Sequence, residues 1–203
     1  MLPFMMTSRR AHLLLSVVWA LGCGGCGSAS PTPELDSGPI GICAATTAQA
    51  PDDPGIHVPQ GSALPVTTNP PAAGSHYPVW PPYAQAFPDV VPRGNWLHAA
   101  EHGAVVLLYR PADCGASCGE LAARLAAIGA ALPQDPLCQR PINARWLVTA
   151  DPLLPEGTAV AAVAWRAIYR ARCLDGESLG AFISARYARA PEDLCNDGAI
   201  AWR

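Results

Sequence analysis

The sequence predicts one globular domain of the α+β class, with a mixed or antiparallel sheet, two helices, a proline-rich N-terminal wrap and stabilising disulfides. Three observations support this prediction. Apolar runs of strand length alternate with segments whose apolar residues recur at helical spacing. Residues 55–95 are rich in proline, which blocks both helix interiors and central strands. Six cysteines follow residue 26, and an even number predicts paired thiols.

The regular elements are predicted to follow one another in the order β-α-β-β-α, without an internal repeat. The first helix begins with a candidate capping box, in which Ser117 and Glu120 satisfy free backbone amides. This mixture of elements is typical of an α+β or α/β domain. In chain order the predicted elements are strand Ala104–Tyr109, helix Ser117–Leu132, strands Arg145–Thr149 and Val160–Tyr169, and helix Glu177–Tyr187.

The N-terminus has the features of an export signal. Arg9 and Arg10 form a positively charged start, and the apolar run 13–21 is too short to span a bilayer core of about 30 Å. A small residue and Cys23 follow, which resembles the lipobox of bacterial lipoproteins. We therefore expect residues 1–22 to be a signal peptide and Cys23 to carry a lipid.

A tethered domain follows from this signal. Residues 23–54 are rich in Gly, Ser, Pro, Thr and Ala, and we expect them to form a flexible tether in front of a domain at 55–203. The lipid would hold the protein to a membrane at the periplasmic or outer cell surface. Two alternatives remain, namely lipidation of Cys26 and a secreted protein without lipid that is cleaved near Gly27 or Ala29.

The charge pattern argues against nucleic acid as a partner. Loss of Arg9 and Arg10 with the signal leaves 11 of the 13 basic residues against 16 acidic ones, a net charge of −5. The chain has no lysine. Arg166, Arg170 and Arg172 alternate and predict a basic, solvent-facing strand edge, for which a binding role is the alternative. A mildly acidic protein without a larger basic cluster is not expected to bind nucleic acid.

The cysteines predict disulfides. An exported protein folds in an oxidising compartment, where an even number of cysteines forms bridges. Six cysteines allow 15 pairings, and the sequence does not choose among them. A competing interpretation is that Cys114 and Cys118, which follow a strand and open a helix, resemble the copper-binding pair of Sco-type chaperones. The disulfide candidates are Cys43, Cys114, Cys118, Cys138, Cys173 and Cys195.

The histidines cluster in one part of the chain. All histidines that remain after the signal lie between positions 57 and 102, and a short helix is predicted over Asn95–His102, with Asn95 as its N-cap and Gly103 as its end. Histidines in such a cluster are candidate ligands of one metal ion. They are His57, His76, His98 and His102.

The motif His-x-x-Glu-His places two imidazoles and a carboxylate of this cluster close together in the sequence. His98 and His102 lie four residues apart, so on a helix they share one face, and both imidazoles can reach one ion at about 2.0–2.1 Å. Glu101 is a candidate third ligand, a partner that orients an imidazole, or a base acting on metal-bound water. The same motif is also the signature of one class of metallopeptidases.

Three segments resemble the bacterial family of domains of unknown function numbered 3105. They are HVPQGSALPVTTNPPAAGSHYP, WLHAAEHGAVVLLY and VAAVAWRAIYRARCLDGESLGAFISARYARAPED, which together cover about residues 56–193. The resemblance implies that all four histidines and Glu101 belong to one shared site, in exported or membrane-anchored proteins, and that the cysteines lie outside the family pattern. The matching positions are His57, Val58, Asn69, Pro70, Pro71, Gly74, His76, Tyr77, Leu97, His98, Glu101, His102, Gly103, Ala164, Trp165, Ala190, Pro191 and Glu192.

These observations predict a transition-metal site, for copper or zinc. His98 and His102 are the first ligands, His76 and His57 the next, and Glu101 is a ligand or a supporting group. The expected role is metal binding or handling at the cell envelope, which does not require catalysis. Two alternatives are a metal-dependent hydrolase with Glu101 as base, and a surface or scaffold module without metal that presents the aromatic stretch 80–83.

Overall fold

The computed structural model describes residues 42–202, and one mixed sheet of six strands organises them. The proposed signal peptide, the Cys23 lipidation site and the tether up to residue 41 lie outside the described residues. The strands are β1 Thr46–Gln49, β2 Gln85–Ala86, β3 Val105–Tyr109, β4 Trp146–Ala150, β5 Val160–Ala164 and β6 Ala167–Ala171. The first of them falls within the range 23–54 that was expected to form the tether.

The strands are arranged in the order β1-β6-β5-β3-β4-β2. The sheet is parallel between β3 and β4 and between β4 and β2, and antiparallel elsewhere. Every residue of β4 and β5 is buried, which agrees with central strands that are covered on both faces. The predicted α+β class and mixed sheet are confirmed.

The helices cover both faces of this sheet. They are α1 Arg93–Glu101, α2 Pro111–Cys114, α3 Cys118–Ala130 and α4 Gly176–Arg186. On one face, α1 contributes Trp96 and Leu97 to a core that includes Val106 of β3. On the other face, α3 and α4 pack against the alternate residues of the same strands, with Leu125 as an example.

The prediction of two helices was too low. Within residues 42–202, three helices have nine or more residues, because the short helix predicted over Asn95–His102 is a full element of the fold that begins at Arg93. Pro92 takes the N-cap position, and Asn95 lies inside the helix with no solvent exposure. At α3, Ser117 does precede the helix, but its side chain makes no capping hydrogen bond. The predicted capping box is therefore wrong.

The single strand predicted over Val160–Tyr169 is a hairpin. β5 and β6 pair antiparallel with Ala164 opposite Ala167, so Trp165 and Arg166 form the turn. Arg166 adopts a φ of 60°, and its amide donates to the Ala72 carbonyl at 2.6 Å. β6 then lies between β1 and β5. The predicted basic strand edge is consequently an interior strand of the sheet.

Three disulfides join the six candidate cysteines, as predicted. Their partners have Cα–Cα distances of 5.0, 4.9 and 5.1 Å, within the range of ordinary disulfides. Because Cys114 and Cys118 are bonded to each other, this oxidised pair offers no thiolate to a copper ion. The pairs are Cys43–Cys173, Cys114–Cys118 and Cys138–Cys195.

No helix within residues 42–202 combines the length and the apolar character that a membrane crossing requires.

Candidate metal centre

Helix α1 places two of the candidate ligands in the interior. The helix is buried on nearly all sides, so His98 and Glu101, three residues apart, lie together in the core with exposures of 1 % and 6 %. Gly103 ends the helix with a φ of 87°, and its amide donates to the Ala100 carbonyl at 3.0 Å. The predicted end of the helix at Gly103 is confirmed.

Two segments without regular structure bring the other histidines to the helix. Residues 57 and 76 form a parallel bridge, in which the Val58 amide donates to the His76 carbonyl at 2.8 Å and the His76 amide donates to the Ile56 carbonyl at 3.0 Å. His76 has no solvent exposure, whereas His57 is exposed. The bridge thus sets one interior imidazole beside one that faces the solvent.

The three imidazoles form a compact triangle. The ring centroid of His57 lies 5.0 Å from that of His76 and 4.7 Å from that of His98, and the last two are 4.7 Å apart. Glu101 joins the group through its Oε2, which lies 2.9 Å from Nε2 of His76. One ligand atom from each of these four residues can be chosen so that all lie within 4.8 Å of one another.

Backbone carbonyls orient the two buried imidazoles. Nδ1 of His76 lies 2.9 Å from the Gly74 carbonyl, and Nδ1 of His98 lies 2.7 Å from the Tyr77 carbonyl. A carbonyl only accepts hydrogen bonds, so each Nδ1 is the protonated donor and each Nε2 keeps a lone pair in the neutral ring. This arrangement is the one that holds a histidine ready for metal ligation through Nε2.

The electrostatics of the site favour a neutral His98 and an ionised Glu101. Burial, followed by the neighbouring His76 and His102, lowers the pKa of His98 to about 3. Burial alone would raise the pKa of Glu101, but contact with His76 and the nearby imidazoles outweighs it and lowers that pKa. At neutral pH both side chains are therefore in the protonation state that binds a metal ion.

The buried state of His98 leads to an expected pH dependence of stability. Its pKa is lowered from 6.5 to about 3, so between these pH values the unfolded chain takes up a proton and the folded chain does not. We expect the free energy of unfolding to decrease as the pH falls through this range, by at most about 1.4 kcal/mol per pH unit. Urea unfolding of the metal-free protein measures the slope. An equal slope in His98→Gln would contradict this assignment.

His102 lies beside the group of four without belonging to it. Its ring centroid is 4.6 Å from that of His98 and 4.5 Å from that of Trp80. Its Nδ1 is 3.3 Å from Oε2 of Glu192, and neither ring nitrogen has a hydrogen-bond partner within residues 42–202. Burial lowers the pKa of His102. Its role as a ligand, expected from the His-x-x-Glu-His spacing, stays a prediction.

Sequence reasoning missed the groups that support the site. The carbonyls of Gly74 and Tyr77 are backbone atoms, and a sequence pattern has no signal for which carbonyl an imidazole will contact. The stretch containing Trp80 was considered as an aromatic surface or as packing beneath the proline-rich segment, but not as part of the site; the Trp80 ring packs against His98 at 4.9 Å. Gly55 was not singled out at all.

Gly55 allows a close approach of the chain to the site. A Cβ at this position would collide with Oε1 of Glu101 and lie 3.0 Å from Cε1 of His76. We expect Gly55→Ala to displace the Glu101 carboxylate and to weaken zinc binding roughly tenfold, the effect of disturbing a supporting group. Competition with a chromophoric chelator measures the affinity. Gly119→Ala, where a Cβ meets open space, is the control, and equal affinities in the two variants would contradict the expectation.

Comparison with known families adds one result. A family model described as "Protein of unknown function (DUF3105)" matches residues 57–198. The chain belongs to this family. The resemblance noted from the sequence is thereby confirmed, and no curated protein and no solved structure matches the chain. The DUF3105 match begins at His57 and includes the other three members of the group, so the whole candidate centre lies inside the family domain.

Proposed function

We propose that this DUF3105 protein binds a transition metal at the cell envelope, through His57, His76, His98 and Glu101. The observation that carries the proposal is the convergence of these four potential ligands, whose ligand atoms lie within 4.8 Å of one another. Ligands of a tetrahedral ion with bonds of about 2.1 Å lie roughly 3.4 Å apart. The ligand atoms, now within 4.8 Å of one another, would therefore have to approach by up to about 1.4 Å to share one ion.

The contact between His76 and Glu101 supports a cation at this position. Nε2 of His76 and Oε2 of Glu101 are 2.9 Å apart, but they lack the alignment of a hydrogen bond. Because Nδ1 of His76 is the donor to Gly74, a neutral ring presents a lone pair to the carboxylate. Two buried acceptors this close would repel, so the favourable contact that lowers the pKa of Glu101 requires a proton or a metal ion between the two atoms.

The ligand set narrows the choice of metal. Three imidazoles and one carboxylate suit zinc and copper(II), whereas a site for copper(I) normally uses thiolate or thioether ligands. The cysteines of the described residues are all in disulfides and supply no thiolate. Copper binds more tightly than zinc to a given set of such ligands, so the supply of each metal decides which one is bound.

Elemental analysis tests the proposal. The protein purified from the periplasm or membrane is expected to contain about one equivalent of zinc or copper, and the double variant His76→Ala/His98→Ala is expected to contain none. Retention of the three disulfides and a cooperative thermal transition show that the variant is folded. A wild-type protein that is isolated without metal and takes up neither ion would contradict the proposal.

We further propose that a lipid on Cys23 anchors the protein to a membrane, as the signal-like N-terminus suggests. Cys23→Ser removes the proposed acceptor of the lipid, so we expect the protein to move from the membrane fraction to the soluble fraction. Cys26→Ser is the matched control and is expected to leave the protein in the membrane fraction. Release by Cys26→Ser and not by Cys23→Ser would assign the lipid to the other cysteine.

A further inference from the structure

A second polar site lies at one end of β1 and β6. The loop before β5 and these strand ends line a solvent-open cavity of about 370 Å³. Its polar lining consists of Thr46, Glu156, Thr158, Arg170 and Arg172. None of the four candidate metal ligands belongs to this lining, so the cavity is separate from the metal centre.

Arg170 is unusual among the arginines of the domain. It lies opposite Thr46 in the β1–β6 register, and its Nε is buried without a hydrogen-bond partner. Arg110 and Arg166 also have such an Nε, but their terminal nitrogens form ion pairs at 3.0 and 3.1 Å. Within residues 42–202, no carboxylate pairs with Arg170. Its charge is thus partly removed from water and not compensated by the protein.

The rest of the lining adds to this positive potential. Arg172 has no ion pair with the described part of the chain, and the hydroxyls of Thr46 and Thr158 can donate to a ligand. Glu156 is the one carboxylate of the lining, so two guanidinium groups outweigh it. An excess of unpaired positive charge in a cavity is informative here because the protein as a whole is acidic.

This chemistry fits a phosphate group. The guanidinium fork binds the oxygens of phosphate in a bidentate manner, and the threonine hydroxyls can donate to the remaining oxygens. The carboxylate of Glu156 only accepts hydrogen bonds, so the ligand must carry a hydrogen-bond donor. A ligand whose only polar group is a carboxylate has none. A protonated phosphate oxygen supplies this donor, and so does the hydroxyl or ammonium group beside the phosphate of a lipid headgroup.

We propose that the cavity formed by Thr46, Glu156, Thr158, Arg170 and Arg172 binds a phosphate group. Free phosphate and a phospholipid headgroup share this chemistry. Ala44, which precedes β1, also lines the cavity.

The test uses the chain from residue 23 onward with Cys23→Ser, so that neither a lipid nor the apolar run 13–21 inserts into vesicles. Calorimetric titration with inorganic phosphate is expected to show saturable binding to one site. Sedimentation with vesicles of phosphatidylglycerol, with and without phosphate as competitor, tests the headgroup. In Arg170→Gln/Arg172→Gln we expect either binding to weaken at least tenfold, because the charge-assisted hydrogen bonds are lost.

The matched control is Arg124→Gln/Arg186→Gln, which removes two exposed arginines from α3 and α4 and equals the first variant in charge. Binding of free phosphate without vesicle binding assigns the site to a soluble phosphate compound. Vesicle binding that phosphate competes away assigns it to a headgroup. The proposal is overturned if neither binds, if the cavity variant binds as the wild type does, or if the control loses as much. A melting temperature equal to that of the wild type shows that each variant is folded.

Discussion

His98→Ala is expected to weaken zinc or copper binding by more than about 100-fold, since the loss of a direct ligand exceeds the 10- to 100-fold cost of losing a supporting group. His98 is buried and neutral, and the Tyr77 carbonyl orients its ring, so the substitution removes a fixed interior ligand of the group. Competition with a chromophoric chelator measures the affinity. Added metal should raise the melting temperature of the wild type and leave that of the variant unchanged.

His102→Ala is the matched control for this prediction. It removes the same side chain one helical turn away, from a ring that packs against His98 at 4.6 Å. If the four-residue group is the complete ligand set, we expect this variant to lose no more than about tenfold in affinity, through a less well supported His98. An equal loss in the two variants would show that His102 is itself a ligand, as its spacing in the sequence suggests.

Arg145→Met is expected to reduce the free energy of unfolding by about 3–5 kcal/mol, the usual cost of breaking a buried ion pair. Arg145 is 1 % exposed, and its Nε and Nη2 donate to Oδ2 of Asp135 at 3.1 and 2.8 Å. Nη1 also donates to the His102 carbonyl at 2.7 Å. The substitution leaves a buried carboxylate and the last turn of α1 without this partner.

Urea unfolding measures this loss, and two variants control for it. Arg124→Met removes an exposed arginine from α3 and is expected to change stability by no more than about 0.5 kcal/mol. In Arg145→Met/Asp135→Asn the unpaired charge is absent, so we expect part of the stability to return, although the Tyr187 hydroxyl still donates to residue 135. A cost below about 1 kcal/mol for Arg145→Met would contradict the role assigned to this ion pair.

The sequence predicted the strands and helices whose apolar residues follow a regular local spacing. The apolar run after Gly103 is β3, and the helical spacing after Ser117 is α3. The β5–β6 hairpin was missed because its turn, Trp165–Arg166, contains no glycine, asparagine or aspartate. Neighbouring segments hold this turn, since Arg166 receives a hydrogen bond from the Ala50 amide at 2.9 Å. Such contacts are tertiary and leave no pattern in the turn itself.

The sequence indicated the four members of the candidate site, together with His102, but not their arrangement. The clustering of histidines identified His57, His76 and His98, and the helical spacing placed Glu101 near them. The spacing also favoured the pair His98 and His102, which share a helix. In the structure, the bridge between residues 57 and 76 instead brings two distant segments to the triangle of rings. A local spacing cannot report such a long-range pairing.

The disulfide between Cys43 and Cys173 has a mechanical consequence. β1 is the outermost strand of the sheet and pairs only with β6 among the described strands, so tension on the preceding chain would otherwise peel its hydrogen bonds apart one at a time. Cys43 precedes β1, and its covalent bond reaches residue 173, just beyond the end of β6. Load that arrives from the N-terminal side is therefore transferred to the body of the domain before it reaches the edge strand.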